Sequence, residues 1–399
     1  MGWKRLVLAL AASCAMTAAV AQDKVKIGVL TDLSGVLSAS TGPTDVEAAR
    51  MAIEDFGGSV LGQPIELISA DHQNKPDLAS VIARSWFDTE GVTAIADVPN
   101  SAAALAVQGI IKDRKKIALF SGPATARLFN EDCAATSFHW VFDTRAIAHG
   151  LGNAILAQGG KDWFLVAADY AFGAQMAKDL DAIVKARGGR ISGIVRHPTN
   201  VSDYSSFLLQ AQASGAKIVA FANAGFDTIN AIKQANEFGI VAAGQKIAAL
   251  VVVISDIHSL GLAQTQGLVS VTAFYHDRDE ASRAWSKRFF DRTGRMPGQF
   301  QAGVYSAVQH YLRAVRDAKT TEANAVAEAM RARPVDDFFA PGAKIRKDGR
   351  LMNDMYLFEV KKPADSKGPW DLWNIVARLP AEEIIAPLSE STCPLVKAP

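Results

Sequence analysis

Seven histidines, His72, His139, His149, His197, His258, His276 and His310, are the first residues to test for chemistry. No two stand at helical ligand spacing and none has a cysteine pair beside it, so no metal site is expected. In "GLGNAI", Gly150 and Gly152 are followed by Ile155 where a dinucleotide fingerprint needs a third glycine for close packing, and a helix start is the better reading. Lys161 in "QGGKDW" lacks the following Ser or Thr of a P-loop, and no G-x-S-x-G elbow occurs. A Ser-His-Asp set has no fixed spacing, so an exported hydrolase stays a rival reading.

What remains is a set of short polar loops: "TDLSGVLSASTG", "VPNSAAALA", "FSGPATARL", "ADYAFGAQ" and "ANAGFDTIN". Asn100 and Ser101 precede an alanine-rich helix, and Thr125 follows a Gly-Pro turn. Helix N-termini carry unsatisfied N–H groups and a positive dipole end, so flanking hydroxyls there suit a carboxylate. For any one of these residues alone, a plain helix cap is the ordinary role.

The elements that must position these loops alternate. "KVKIGVLTD", "QPIELISAD", "VTAIADV", "KKIALFSG", "DWFLVAADY", "GRISGIVRH", "AKIVAFANAG", "KIAALVVVIS" and "GLVSVTAFY" read as strands rich in Val, Ile and Phe. Between the first two, Val46, Ala49, Ala52, Ile53 and Phe56 recur at helical spacing, with Gly57-Gly58 as the stop. After the second, a helix capped at Asp77 is expected to bury Leu78, Val81, Ile82, Ser85 and Trp86. The order is βαβα throughout, which predicts parallel sheets covered by helices on both faces, with ligands held at the carboxyl ends of the strands. The chain is long for one sheet, and two lobes joined by several crossings fit better than beads on a string. "PADSKGPW" reads as an exposed loop.

Lys4 and Arg5, an apolar run from Leu6 to about Ala12, and Ala19-Val20-Ala21 form a secretory signal, residues 1–21, with cleavage near Ala21. Cleavage before Cys14 as a lipoprotein is the weaker option, because Ala11 stands where a larger aliphatic residue is usual. Export leaves 40 basic against 41 acidic residues, a balance that attracts neither nucleic acid nor an anionic membrane. Two cysteines remain, Cys133 and Cys393, in an oxidising compartment where a disulfide is the natural pairing and two buried free thiols the alternative.

In order and spacing, "KIGVLTDLSG", "AARMAIEDFGG", "IELISADHQNKPDLA", "FSGPATA", "ADYAFGAQMAKD", "ANAGFDTINAIKQANEFG" and "YSAVQHYLRAV" together resemble the leucine/isoleucine/valine-binding-protein family, the type I periplasmic solute-binding proteins of ABC importers. The resemblance spans nearly the whole mature chain. It implies an α/β fold of two Rossmann-like lobes joined by three hinge crossovers, residues 23–143 plus 276–345 forming one lobe and 144–275 plus 346–399 the other. It implies a monomeric, non-enzymatic binding protein without cofactor, which closes on a small molecule and delivers it to a membrane permease driven by ATPase subunits. A sensor that reports to a membrane receptor uses the same closed shape. By similarity the carboxylate falls to Ser101, Ser121, the Pro123 carbonyl and Thr125, with Asn100 beside them, and the opposing lobe offers Tyr170, Phe172, Asn223, Gly225 and Phe226.

Two departures bear on the ligand. Amino-acid binders of this family pair the ligand's ammonium with an acid at the end of a second-lobe strand, since a buried cation without a partner is costly. Here that strand reads "KIAALVVVISD", and the nearest acid, Asp256, suits a helix cap. An aromatic that covers the ligand in the first loop is replaced by Ser40. Both point to a small organic acid, aromatic by preference, with Phe274 or Tyr275 as further apolar walls. Branched-chain amino acids are the alternative and would require Asp256 or Asp227 as ammonium partner.

Overall fold

The computed structural model describes residues 24–397; the signal segment and Cys14 lie outside them. Strands β1 (Val25–Thr31), β2 (Ser59–Val60), β3 (Gln63–Asp71), β4 (Val92–Asp97), β5 (Ile117–Phe120) and β6 (Ser137–His139) form one sheet in the order β2-β3-β1-β4-β5-β6. All its pairings are parallel except β2 with β3. A second, wholly parallel sheet has the order β10-β9-β7-β8, from β7 (Asp162–Ala168), β8 (Arg190–His197), β9 (Ile218–Ala222) and β10 (Lys246–Ala249). Central strands between helical layers must be apolar on both faces. Val25, Ile27, Val29 and Leu30 of β1 are accordingly fully buried, whereas the edge strand β8 alternates between exposed and half-buried positions.

The expectation of parallel sheets throughout is corrected by a third sheet. β11 (Val269–Thr272), β12 (Met355–Val360) and β13 (Trp373–Leu379) are antiparallel. The β12–β13 pair is fixed by Phe358 stacked on Trp373, ring centroids 3.9 Å apart. The run "KIAALVVVIS" is likewise a strand only to Ala249, and Ile254–Leu260 is helical. Leu250 to Val253 are apolar because they are buried in the wall between sheet and cleft, which strand periodicity does not distinguish.

Helix Pro43–Phe56 forms as its pattern predicts. Pro43 opens it, and Gly57, at φ 105°, ends it in the left-handed region, its N–H bonded to the Glu54 carbonyl. It packs on helix Gln299–Ala318, where Gln309 Nε2 reaches the Ala52 carbonyl at 2.6 Å. In this way the segment after β11 returns to the first sheet. Surface ion pairs of Arg288 with Asp55 and of Arg292 with Glu47 and Glu54 line the same contact and add at most about 1 kcal/mol each. In helix Pro76–Asp88 the predicted stripe is offset. Lys75 is the N-cap and the buried residues are Ala79, Ala83, Trp86 and Phe87, leaving Val81 62% exposed. "GLGNAI" lies inside helix Thr144–Ala157 rather than at its start, and Gly150 packs so closely on Val271 and Leu379 that a Cβ would stand 2.9 Å from Leu379 Cδ1.

Three segments run between the two halves: 140–143 from β6 to helix Thr144–Ala157, 273–279 after β11, and 333–354 before β12. The chain's end crosses back. Cys393 is disulfide-bonded to Cys133, Cα atoms 5.7 Å apart, and Glu390 pairs with Arg145 at 2.6 Å.

Candidate functional site: a cavity between two sets of loops

The carboxyl ends of both parallel sheets face one narrow cavity. Only about 30 Å3 of it admits the centre of a water molecule, so its walls are drawn in. A larger open recess lies at the amino ends of β9 to β11, between Lys217, Lys246 and Val269. None of its lining residues has an unpartnered buried polar side-chain atom, and open sheets bind at the opposite ends of their strands.

The opening loop, Asp32 to Gly42, is folded by its own first residue. Asp32 accepts the N–H groups of Gly35 at 2.7 Å and Leu37 at 2.9 Å, which turns Leu37, Ser40 and Thr41 toward the cavity. Burial holds the Asp32 carboxyl above its ordinary range. Ser40 is buried, and its hydroxyl donates across the cleft to Asp256 Oδ1 at 3.0 Å.

After β4, Asn100 is the N-cap of helix Ser101–Arg114. Its Oδ1 takes the Ala103 N–H at 2.9 Å and its Nδ2 donates to Asn74, so its side chain is occupied and does not line the cavity. Ser101 does line it, and its hydroxyl makes no hydrogen bond within the described residues. The helix thus presents its positive end at Ser101. Around β5, the Ser121 hydroxyl donates to Asp97 at 3.3 Å, and the Pro123 carbonyl stands 2.6 Å from His139 Nε2. Both groups are engaged behind the cavity wall formed by Gly122 and Ala124. Thr125 is fully buried just beyond, and its hydroxyl has no partner.

On the opposite side, Tyr170 and Phe172 line the cavity, their rings 5.8 Å apart. Tyr170 caps helix Ala171–Ala186 only by position; its hydroxyl has no hydrogen bond within the described residues, and burial pushes its acidity down. Gly225 also lines the cavity, at φ 61°. Asn223 does not: its Oδ1 accepts from Thr228 at 2.8 Å and its Nδ2 lies 3.4 Å from His197. Phe226 is 42% exposed and outside the lining, and only its N–H is used, donated to the Val36 carbonyl at 3.0 Å. Phe274 packs on Trp285 and Phe338, and Tyr275 on Trp373, both away from the cavity. Asp227 accepts the N–H groups of Asn200 and Val201 and is not in the lining.

Asp256 is both a cap and a wall. Its Oδ2 takes the Val253 N–H at 3.1 Å at the start of helix Ile254–Leu260, and it lines the cavity 1% exposed. Burial raises its pKa to about 7 despite those hydrogen bonds. No Lys, Arg or His lines the cavity. Two rings that the sequence reading omits complete the apolar part: Phe142 and Phe300, centroids 5.6 Å apart. Phe142 follows a strand as Tyr170 does, so the same signal was available for it. Phe300 enters on the returning helix, with no local signal.

Two loop sets from parallel sheets, three chain crossings and a cleft lined by hydroxyls and rings match one architecture. A family model described as periplasmic binding protein covers residues 24–368. The chain belongs to the periplasmic binding protein family, type I.

Among solved structures, this binding protein is similar to a periplasmic binding protein from Burkholderia mallei at 47% identity, covering 94% of this chain and 99% of that one, TM-score 0.92. A branched chain amino acid ABC transporter periplasmic ligand-binding protein from Burkholderia xenovorans is 41% identical over 94% of this chain and 100% of that one, TM-score 0.83. A solute binding protein from R. palustris in complex with benzoate shares 18% identity over 90% and 97% of the two chains, TM-score 0.81, which speaks to fold alone. None of the curated proteins compared matches significantly. Binding proteins of this family are non-enzymatic components of ABC transport. Among the described residues, no helix is long and apolar enough to cross a membrane.

Proposed function

We propose that this binding protein acts in the periplasm, after loss of residues 1–21, and carries a small organic acid to an ABC permease and its ATPase subunits. The observation that carries this reading is a cavity with no cation whose wall holds the hydroxyls of Ser101 on one side and Tyr170 on the other, with the unpartnered Thr125 hydroxyl buried behind Ser101. Hydroxyl donors and a helix N-terminus hold a carboxylate without a counter-ion. Phe142, Phe172, Phe300 and the Tyr170 ring suit an apolar or aromatic body.

In this reading residues 23–143 with 276–345, and 144–275 with 346–399, turn against each other about the crossings, the last residues fastened back by the Cys133–Cys393 bond. The cavity as it stands is too narrow for a ligand of benzoate size, so entry requires the lobes to part, and ligand favours closure by its differential affinity for the closed state.

A second reading, an apolar amino acid, is favoured by Asp256 in the cavity wall and by the relative whose printed description is branched chain amino acid transport. There the ammonium pairs with ionised Asp256, whereas a plain acid requires Asp256 protonated. Incubating the protein with a panel of aromatic acids, keto acids and amino acids, then recovering bound material by mass spectrometry, tests the proposal. Stoichiometric, unaltered acid supports it; conversion to product, or no bound acid, overturns it.

A further inference from the structure

Arg350 is fully buried at a place where two of the three crossings touch. Its Nε donates to Asp143 Oδ2 at 3.0 Å, in the first crossing. Its Nη1 reaches Asn353 Oδ1 at 3.0 Å and the Leu351 carbonyl at 2.6 Å, in the third. Nη2 lies 3.5 Å from the Val141 carbonyl, and Asn353 Nδ2 donates to that same carbonyl at 2.8 Å. Backbone bonds complete the seam: His139 N–H to the Gly349 carbonyl at 2.9 Å and Leu351 N–H to the His139 carbonyl at 3.0 Å. Gly349 sits at φ 89°, and a Cβ there would stand 2.3 Å from the Ser137 carbonyl oxygen, so the approach of the two strands is as close as backbone allows.

A planar guanidinium with a fork of donors can bind two chain segments at once in fixed geometry, which an ammonium on a flexible stem does not reproduce. Asp143 transmits the arrangement further, since its other oxygen caps helix Thr144–Ala157 through the Ala146 N–H at 2.9 Å. The remaining crossing is tied to the third by Arg278, which donates to the Phe338 and Phe339 carbonyls, and to the returning helix by Gln299 Oε1 accepting the Ala273 N–H at 2.9 Å.

We infer that Arg350 is the positioning residue of the hinge: it binds the first and third crossings into one unit, so that the lobes turn about a single axis onto the ligand. This rests on the two-lobe closure proposed above. A looser hinge spreads the unliganded protein over more open arrangements, and apparent affinity falls with the fraction that is competent to close. None of the hydrogen-bond partners of Arg350 lines the cavity, so its effect acts through population and not through the ligand.

The test places spin labels at Val81→Cys and Leu209→Cys, exposed positions on helices of opposite lobes, in the intact chain with its disulfide. In Arg350→Lys the unliganded inter-label distance distribution should broaden, and the apparent Kd of whichever of benzoate and leucine binds should rise at least about fivefold, the low end of measured site couplings. If Arg350→Lys does not fold, Asn353→Ala, which removes the 2.8 Å tie to Val141, the Arg350 acceptor and a local bond to the Asp354 carbonyl, should broaden the distribution in the same direction. Unchanged distributions in the folded variants would overturn the inference. The unliganded distribution is read without ligand, so a wrong ligand class leaves this result intact.

Discussion

Gly225 meets the carbonyl of Val36 across the cleft so closely that a Cβ on it would stand 2.3 Å from that oxygen. The next N–H, of Phe226, donates to the same carbonyl at 3.0 Å. The two lobes therefore touch backbone to backbone beside the cavity, and glycine is required both by that contact and by its φ of 61°. Gly225→Ala should hold the loops apart. The strain of an L-residue there is about 1–3 kcal/mol, and calorimetric titration should show Kd raised roughly fivefold or more. Unchanged affinity would mean that closure does not use this contact.

Ser101→Ala and Tyr170→Phe each delete one free hydroxyl at the cavity and leave packing in place. A hydrogen bond to a charged acceptor contributes about 1.5–3 kcal/mol, so each should weaken binding roughly tenfold or more. Thermal unfolding of the unliganded variants should stay near wild type, because neither hydroxyl has a partner to lose. Ser121→Ala is the contrast. Its hydroxyl serves Asp97, so that change should act on stability more than on binding.

Asp256 makes binding and stability depend on pH. Burial raises its pKa to about 7 in the folded chain from an ordinary 3.8. The protonated form is thus favoured by folding: its contribution to stability is complete below the unfolded value and is lost as pH rises through about 7. Binding of a plain organic acid takes up a proton at Asp256, so affinity should fall as pH rises through about 7. An amino acid pairs with the ionised carboxylate, and its affinity should rise over the same interval. Asp256→Asn should flatten either profile, which titration at several pH values would read directly.

The Cys133–Cys393 bond spans 260 residues of sequence. For a loop of that length the chain-entropy model gives about 5.5 kcal/mol. Intact-mass analysis should show the non-reduced protein lighter than the reduced one by a pair of hydrogens, and reduction should lower the melting temperature. Equal masses would refute the bond.

Much of this was legible because strand patterns and polar strand-end loops are local signals. β3 matches its predicted nine residues, and Tyr170 lies where an aromatic after a strand was expected. What local signals do not carry is which hydroxyl is free. Ser101 and Ser121 look alike in sequence, each in a loop after a strand, yet Ser121 is claimed by Asp97, which sits at φ 77° one strand away. Arg350 was illegible for a similar reason: its partner Asp143 is 207 residues distant, and nothing beside it marks a crossing. Phe226 shows the reverse error. An aromatic in the right loop lies outside the cavity and 42% exposed, its own N–H held by the Val36 carbonyl.

The central claim is that a carboxylate is gripped between the lobes by hydroxyls and a helix end. It is tested most directly by thermal shift with four probes of related shape: leucine, 4-methyl-2-oxopentanoate, benzoate and leucinamide. A ligand that binds only the folded form raises apparent stability as RT ln(1 + [L]/Kd). At least one of the three carboxylates should raise the transition in a concentration-dependent way that Tyr170→Phe and Ser101→Ala reduce, and leucinamide should not. A shift with leucinamide equal to that of leucine, or a carboxylate shift untouched by both substitutions, would contradict the account.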